Sequence, residues 1–75
     1  MSKLPRLTGR ELCKIAEKLG FNFIRQTGSH AVYEHPDGRK IVIPVHAGQE
    51  IGPGLLNKII KRGLRISREE FMKYV

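Results

Sequence analysis

The chain has 75 residues, of which 40% are apolar and 28% charged, a composition that excludes a disordered segment and predicts one small domain over residues 1–75. Fourteen Lys and Arg against seven Asp and Glu give a net charge of +7, which favours a polyanionic partner, above all nucleic acid. A single cysteine, Cys13, excludes an intramolecular disulfide. Neither a signal peptide nor a long apolar run is present, so we expect a cytoplasmic protein with no membrane contact.

A helix is predicted from Thr8 to Gly20, after a basic arm over residues 1–7 that contains Lys3 and Arg6. Thr8 is a typical N-cap, and Glu11 completes a capping box three residues later. Apolar residues recur at helical spacing at Leu12, Ile15, Ala16 and Leu19. We therefore expect the helix to bury this stripe, and Gly20 to end it in a left-handed conformation.

Three short strands are predicted next, over residues 21–26, 30–35 and 40–45, because these runs are rich in aromatic and β-branched side chains. Turn-forming residues separate them at 27–29 and 36–38. Strands joined by such tight turns form an antiparallel meander. Pro44 has no N–H to donate, so it marks a strand end or a sheet edge.

The second half of the chain predicts a polar, glycine-rich connection over 46–54 and then two helices. Apolar residues at helical spacing, Leu55, Leu56, Ile59 and Ile60, indicate the first of them, with Gly63 at its end. Ser67 is the expected N-cap of a last short helix. The predicted fold class is α+β, with a three-stranded antiparallel sheet whose one face is covered by helices and whose other face is free.

The segment Arg25-Gln26-Thr27-Gly28-Ser29-His30 carries the candidate catalytic group. Histidine exchanges protons near neutral pH, so His30 can act as a general acid or base on the ribose 2′-hydroxyl or the departing 5′-oxygen of RNA. Cations and hydrogen-bond donors stabilise charge on the phosphate in the transition state. The candidate RNA- or phosphate-binding residues are Arg25, Gln26, Gly28, Ser29, Lys40 on the neighbouring strand, and His46 just past the third strand.

Other interpretations of these residues stay open at this point. His30 could be a strand-end histidine bonded to backbone, and His35, which precedes Pro36 in a turn, is interpreted as structural. The three histidines have no zinc-like spacing, so neither a metal site nor another cofactor is expected. Cys13 lies in the helical stripe and is interpreted as a core residue rather than a catalytic thiol.

Five segments follow one another in a fixed order along the chain: Leu19-Gly20-Phe21, Arg25 to His30, His35-Pro36-Asp37-Gly38, Ile43-Pro44-Val45-His46 and Pro53-Gly54-Leu55-Leu56. This ordered set resembles the HicA toxins, the small RNA-cleaving partners in HicA–HicB toxin–antitoxin pairs. The similarity runs from about Thr8 to Phe71.

The resemblance implies a fold like the double-stranded-RNA-binding domain and a translation-independent, metal-independent endoribonuclease that cleaves mRNA. It implies that the histidine of Gly-Ser-His, here His30, is the essential catalytic group, and that a HicB-like antitoxin covers the active face. His46 matches a recurring family position without an assigned role. Because the chain is so basic, we expect the antitoxin to present acidic side chains to its helical cations, which are Lys58, Lys61 and Arg62 on the second helix and Arg10, Lys14 and Lys18 on the first.

One departure concerns RNA recognition. Double-stranded-RNA-binding domains usually carry a lysine cluster where their second helix begins, whereas Ile51-Gly52-Pro53-Gly54 is uncharged. Unpaired RNA, which is easier to read by sequence than a duplex, is therefore a better-matched substrate. Two alternatives to the nuclease are a non-catalytic RNA-binding module of the same fold and an interaction protein whose charge serves an acidic partner.

Overall fold

The computed structural model describes residues 4–75. Its elements are β1 Leu7–Thr8, α1 Gly9–Lys18, β2 Asn22–Thr27, β3 His30–Glu34, β4 Lys40–Pro44, β5 Glu50–Ile51, α2 Pro53–Lys58 and α3 Arg68–Met72. A π-helix over Ile59–Leu64 continues α2. The predicted α-β-β-β-α order with a short C-terminal helix is confirmed, and the fold is like that of the double-stranded-RNA-binding domain.

Helix α1 begins as its sequence predicts. The Thr8 backbone N–H donates to the Glu11 carboxylate at 2.8 Å, and the Glu11 N–H donates to the Thr8 hydroxyl at 3.3 Å, which completes the capping box. Gly20, just past the C-cap residue Leu19, has a φ of +96°, which suits glycine. The capped helix holds its apolar stripe against the sheet.

The three-stranded antiparallel sheet has the order β2-β3-β4. Ala31, Tyr33, Ile41 and Ile43 alternate onto one face and belong to the core beneath the helices. Val32 lies on the opposite face and is not part of that core cluster, although its neighbours leave it only 6% exposed. The prediction of one helix-covered face and one free face is therefore confirmed.

The predicted connection over 46–54 contains a strand that the sequence did not indicate. β5 pairs with β1 in a two-stranded antiparallel ribbon, with Leu7 opposite Ile51 and Thr8 opposite Glu50. The end of the predicted basic arm is thus part of a strand pair, while Lys3 lies outside the described residues. The pairing depends on a contact between distant parts of the chain, which no local pattern reports.

The predicted end of the second helix at Gly63 is wrong. Gly63 lies inside the π-helix, where a Cβ atom would overlap the side chain of Ile41, so it serves close packing against β4. The left-handed residue is Arg65, with a φ of 56°. The Arg39 guanidinium donates to the Leu64 carbonyl oxygen and satisfies one acceptor at this helix end.

Helix α3 closes the core. The Ser67 hydroxyl accepts a hydrogen bond from the Glu70 N–H at 3.0 Å, as an N-cap does, and Phe71 is fully buried. Cys13 is buried on α1, and this burial raises the pKa of its thiol, which fits a core residue. No helix within residues 4–75 is long and apolar enough to cross a membrane.

Candidate functional site

The hairpin between β2 and β3 turns through two residues, Gly28 and Ser29. Gly28 takes the first loop position with a φ of +59°, the pattern of a type II′ turn. The Gln26 side-chain amide donates to the Gly28 carbonyl oxygen at 3.0 Å, and the Val45 N–H donates to the Ser29 carbonyl oxygen at 2.6 Å. The turn is therefore held by β2 on one side and by the chain leaving β4 on the other.

His30 is the first residue of β3 and is exposed. It lies opposite Thr27 on β2 and Pro44 on β4. Because successive side chains of a strand point to opposite faces and Ala31 points into the core, His30 lies on the helix-free face together with Val32. The sequence groups His30 with Val32 but leaves their face open, and the structure shows that this face leaves the imidazole open to a ligand from solvent.

A second imidazole lies next to the turn. The Nε2 atom of His46 is 3.3 Å from the Ser29 hydroxyl, which can donate to an unprotonated Nε2 or accept from a protonated one. Ser29 precedes His30 directly, so the hydroxyl connects the segment that carries one imidazole to the other. Both residues of this contact are among the predicted site residues, and the structure brings them together.

Arg25 shares the face of His30. It lies opposite Val32, two residues from the cross-strand partner of His30, and such diagonal neighbours have Cβ atoms roughly 7–8 Å apart. A β-bulge between Phe23 and Arg25 sets Ile24 and Arg25 against the single residue Val32. A long guanidinium side chain can cover that distance, so Arg25 can reach a phosphate held at His30.

Two of the predicted residues lie apart from the imidazoles. Lys40 begins β4, opposite Glu34, whereas Pro44 at the other end of β4 lies opposite His30. Four residues of strand span roughly 14 Å. Lys40 therefore lies at the far end of the sheet. Gln26 alternates away from the face of His30, and its amide is bonded to the turn.

His35 has the structural role that its position before Pro36 indicates. Its Nδ1 accepts a hydrogen bond from the Asp37 N–H at 3.1 Å. Its ring packs edge-on against Phe21, with ring centroids 5.1 Å apart. The Arg39 guanidinium lies 5.2 Å from the centroid of the same Phe21 ring.

Within residues 4–75, no group of three or more His, Cys, Asp or Glu side chains is arranged to hold a metal ion. The residues present at the candidate site offer proton transfer and positive charge. They can abstract a proton from a hydroxyl, donate one to a leaving oxygen, and offset negative charge on a phosphate.

The sequence places Lys58 and Arg62 on the basic face of the second helix. The structure sets these two cations, together with Arg65, beside β4 and Lys40. Each is charged and exposed, which is ordinary for a helix surface. Their approach to β4 depends on how the π-helix packs on Ile41, so no pattern within the sequence signals it.

Comparison with protein families finds one match over most of the chain. The model of the family described as HicA toxin of bacterial toxin-antitoxin matches residues 9–64. The matched range begins at the first residue of α1 and ends at the last residue of the π-helix, so it includes the hairpin, His30 and His46. No curated protein sequence matches the chain.

Proposed function

The chain belongs to the HicA toxin family of bacterial toxin–antitoxin systems, and we propose that it is a metal-independent endoribonuclease that cleaves mRNA. Membership of the family makes the protein a toxin with an antitoxin partner. The observation that carries the nuclease proposal is the exposed position of His30 on the helix-free face, beside a turn that also contacts His46.

In the proposed reaction, a base takes the proton of a ribose 2′-hydroxyl, and the resulting oxygen attacks the adjacent phosphorus atom. The bond from phosphorus to the 5′-oxygen breaks, and an acid gives that oxygen a proton. The products are a 2′,3′-cyclic phosphate on one fragment and a 5′-hydroxyl on the other. His30 serves as a general acid/base, and the Arg25 guanidinium offsets the charge that gathers on the phosphate oxygens.

The roles of Ser29 and His46 follow from their contact. The Ser29 hydroxyl fixes one edge of the His46 ring through Nε2, so His46 is held next to the segment that carries His30. We assign His46 as the second imidazole of the site, and Ser29 as the residue that positions it. Gly28 provides the turn, and no Cβ there restricts the approach of a phosphate.

Unpaired RNA is the proposed substrate. Helix α2 begins after its N-cap Gly52, and its first turn, residues 53–56, has no basic residue to bind duplex phosphates. The face around His30 is open and carries exposed aliphatic side chains, including Ile24 at 46% and Val42 at 47%. Splayed bases of a single strand can contact such a surface, whereas a duplex keeps its bases stacked inside.

The proposed partner is a HicB-like antitoxin that covers this face. A strongly cationic toxin selects an inhibitor with acidic side chains, because opposite charges speed encounter and fix register. Covering His30 would exclude RNA without changing the fold.

The test compares the wild-type protein with His30→Ala on a defined single-stranded RNA, with a chelator present. We expect the wild type to produce cyclic-phosphate ends and the variant to lose activity by a factor of ~10² or more. Thr27→Ala, at the cross-strand neighbour of His30, is the control for disturbing the hairpin end and should keep activity. Replacing the scissile 2′-hydroxyl with hydrogen should block the reaction.

Equal cleavage by the wild type and His30→Ala would remove the catalytic role of His30. A folded wild-type protein that binds RNA but leaves it intact would be a non-catalytic RNA-binding module. Loss of cleavage on adding the chelator would contradict the metal-independent mechanism.

A further inference from the structure

A chain of shallow hollows runs along the outer edge of β4, which is the terminal strand in the sheet order β2-β3-β4. The first, of about 240 Å³, is lined by Lys40, Arg62 and Arg65 among others. The second, of about 280 Å³, shares Lys40 and Arg62 with it and extends to Leu55. The third, of about 190 Å³, shares Leu55 and reaches Pro44 and His46. The hollows are therefore continuous from the turn at Gly38 to the His46 end of the sheet.

The first two hollows carry an excess of positive charge, whereas Glu50 is the charged residue that lines the third. Lys40, Lys58, Arg62 and Arg65 line the first two. The one acid among their lining residues is Asp37, whose carboxylate accepts hydrogen bonds from the Arg39 Nε at 2.8 Å and from the Arg39 N–H at 3.0 Å. Asp37 is therefore bound to Arg39, and four further cations remain to line the two hollows.

Aliphatic side chains adjoin these cations in the second hollow. Val42 is 47% exposed on the helix-free side of β4, and Leu55 is 42% exposed on α2 across the second hollow. Cations with exposed apolar surface beside them fit a polymer of phosphates and flat bases. We name this surface the β4 track, defined by Lys40, Val42, Leu55, Lys58, Arg62 and Arg65.

One end of the β4 track adjoins the candidate site. The third hollow is lined by Pro44, the cross-strand partner of His30, and by His46, which contacts Ser29. A single strand with one phosphate at His30 could continue past Pro44 and along the ~14 Å of β4. Lys40, which lies too far from His30 to act on the reacting phosphate, would then bind a more distant one.

We propose that the β4 track binds the single-stranded RNA that flanks the cleaved phosphate, an inference that rests on the nuclease function proposed above. An acidic segment of the antitoxin is the other polyanion that such charges could hold. RNA is favoured because the track leads to the imidazoles, and because exposed apolar side chains, Val42 and Leu55, adjoin its cations.

The experiment measures RNA binding in the His30→Ala background, so that the RNA stays intact. A fluorescent single-stranded RNA is titrated at several salt concentrations against the parent, Lys58→Gln/Arg62→Gln, and Lys14→Gln/Lys18→Gln. The two double variants remove the same charge from exposed helical residues four positions apart, and Lys14 and Lys18 lie on α1. Thermal unfolding of each variant shows that the fold is kept.

We expect the Lys58/Arg62 variant to bind RNA more weakly than the parent. The logarithm of its association constant should also fall less steeply with the logarithm of the salt concentration, by about 1.4 in slope, because each phosphate contact on a single strand contributes ~0.7. The Lys14/Lys18 variant should keep the parent slope. Lys61→Gln gives a second control, since Lys61 is exposed beside Arg62 but lies outside the lining of the first two hollows.

The proposal that the β4 track binds RNA would be overturned by an unchanged salt dependence of RNA binding in the Lys58/Arg62 variant. An equal change in the Lys14/Lys18 variant would overturn it as well. Normal RNA binding by the Lys58/Arg62 variant together with a weakened antitoxin complex would assign the surface to the protein partner instead. These outcomes are separate from the nuclease function, which is decided by cleavage in the wild type against His30→Ala.

Discussion

The Ser29 hydroxyl lies 3.3 Å from Nε2 of His46, although 17 positions separate the two residues in the chain. The contact spans the β2–β3 turn and the segment that leaves β4, and it is reinforced by the bond from the Val45 N–H to the Ser29 carbonyl oxygen. The orientation of His46 therefore depends on the turn that precedes His30, and the two imidazoles belong to one assembly.

A double-mutant cycle on Ser29 and His46 tests this dependence. We expect His46→Ala to reduce RNA cleavage by about 10²-fold or more, as loss of a proton-transfer group does. Ser29→Ala should cost about tenfold, equivalent to one hydrogen bond of ~1.4 kcal/mol. In the His46→Ala background, Ser29→Ala should cause no further loss, because the ring that it positions is gone. Single-turnover cleavage rates are the measurement, and losses that simply multiply would show that Ser29 acts independently of His46.

Gly9 is predicted to be intolerant of any side chain. A Cβ atom there would overlap the Pro44 carbonyl oxygen, because the start of α1 packs directly on the end of β4. Gly9→Ala should lower the free energy of unfolding by roughly 1–3 kcal/mol, and the loss should be near the upper value because backbone must move. Gly54→Ala is the matched substitution in the first turn of α2, where a Cβ meets nothing within 4 Å. It should stabilise the protein by roughly 0.5–1 kcal/mol. Urea unfolding of both variants checks the opposite signs, and a neutral Gly9→Ala would contradict the close approach.

Glycine is expected to change the stability of the protein in opposite directions at Arg65 and at Lys61. Its φ of 56° places an L-residue in the left-handed region, which costs about 1 kcal/mol or more. Arg65→Gly should therefore stabilise the fold by roughly 1 kcal/mol, less the entropy that glycine adds to the unfolded chain. Lys61→Gly, within the π-helix, should destabilise it by a similar amount. Melting temperatures compared at one salt concentration distinguish these outcomes, and destabilisation by both substitutions would mean that the Arg65 side chain stabilises the helix end.

Protonation of two carboxylates, those of Glu11 and Asp37, is predicted to lower the stability of the protein in acid. Hydrogen bonds from the Thr8 N–H and hydroxyl lower the pKa of Glu11 below its ordinary value of 4.5, and the Arg39 N–H lowers the pKa of Asp37 below 3.8. Each group has a lower pKa folded than unfolded, so its contribution is present above the ordinary pKa and is lost as pH falls through the folded pKa.

The melting temperature of Asp37→Asn should therefore fall less steeply than that of the wild type below about pH 4. Glu69→Gln removes an exposed carboxylate of the same charge on α3 and serves as the control. If the melting temperatures of Asp37→Asn and the wild type fell equally steeply with decreasing pH, the Asp37–Arg39 contacts would not affect stability.

Local signals in the sequence predicted the elements that depend on neighbouring residues. Thr8 and Glu11 fixed the start of α1, and Pro44 marked the end of β4, because capping and the missing N–H act within a few residues. The ribbon of β1 with β5 and the π-helix were missed, since both arise from tertiary contacts. Gly63 was mistaken for a helix end because its close packing on Ile41 and a left-handed cap both favour glycine.

Alternation along β3 grouped His30 with Val32 and apart from Ala31 and Tyr33, but it left the face of His30 open, because both groups mix apolar and polar residues. The packing of Ala31 and Tyr33 in the core identifies the helix-free face as that of His30. The separation of Lys40 from His30 required the strand register, which pairs Lys40 with Glu34. The bond between Ser29 and His46 required the path of the chain after β4, which no spacing rule supplies.

The hydrogen bond from Val45 to Ser29 has a consequence for synthesis of the protein. His30 is translated fifteen residues before the segment that holds its turn in place, so a nascent chain carries the imidazole before it has the strand beside it. The site is complete only once β4 has emerged from the ribosome and paired. A chain that ends before β4 would therefore carry His30 without the bond that holds its turn.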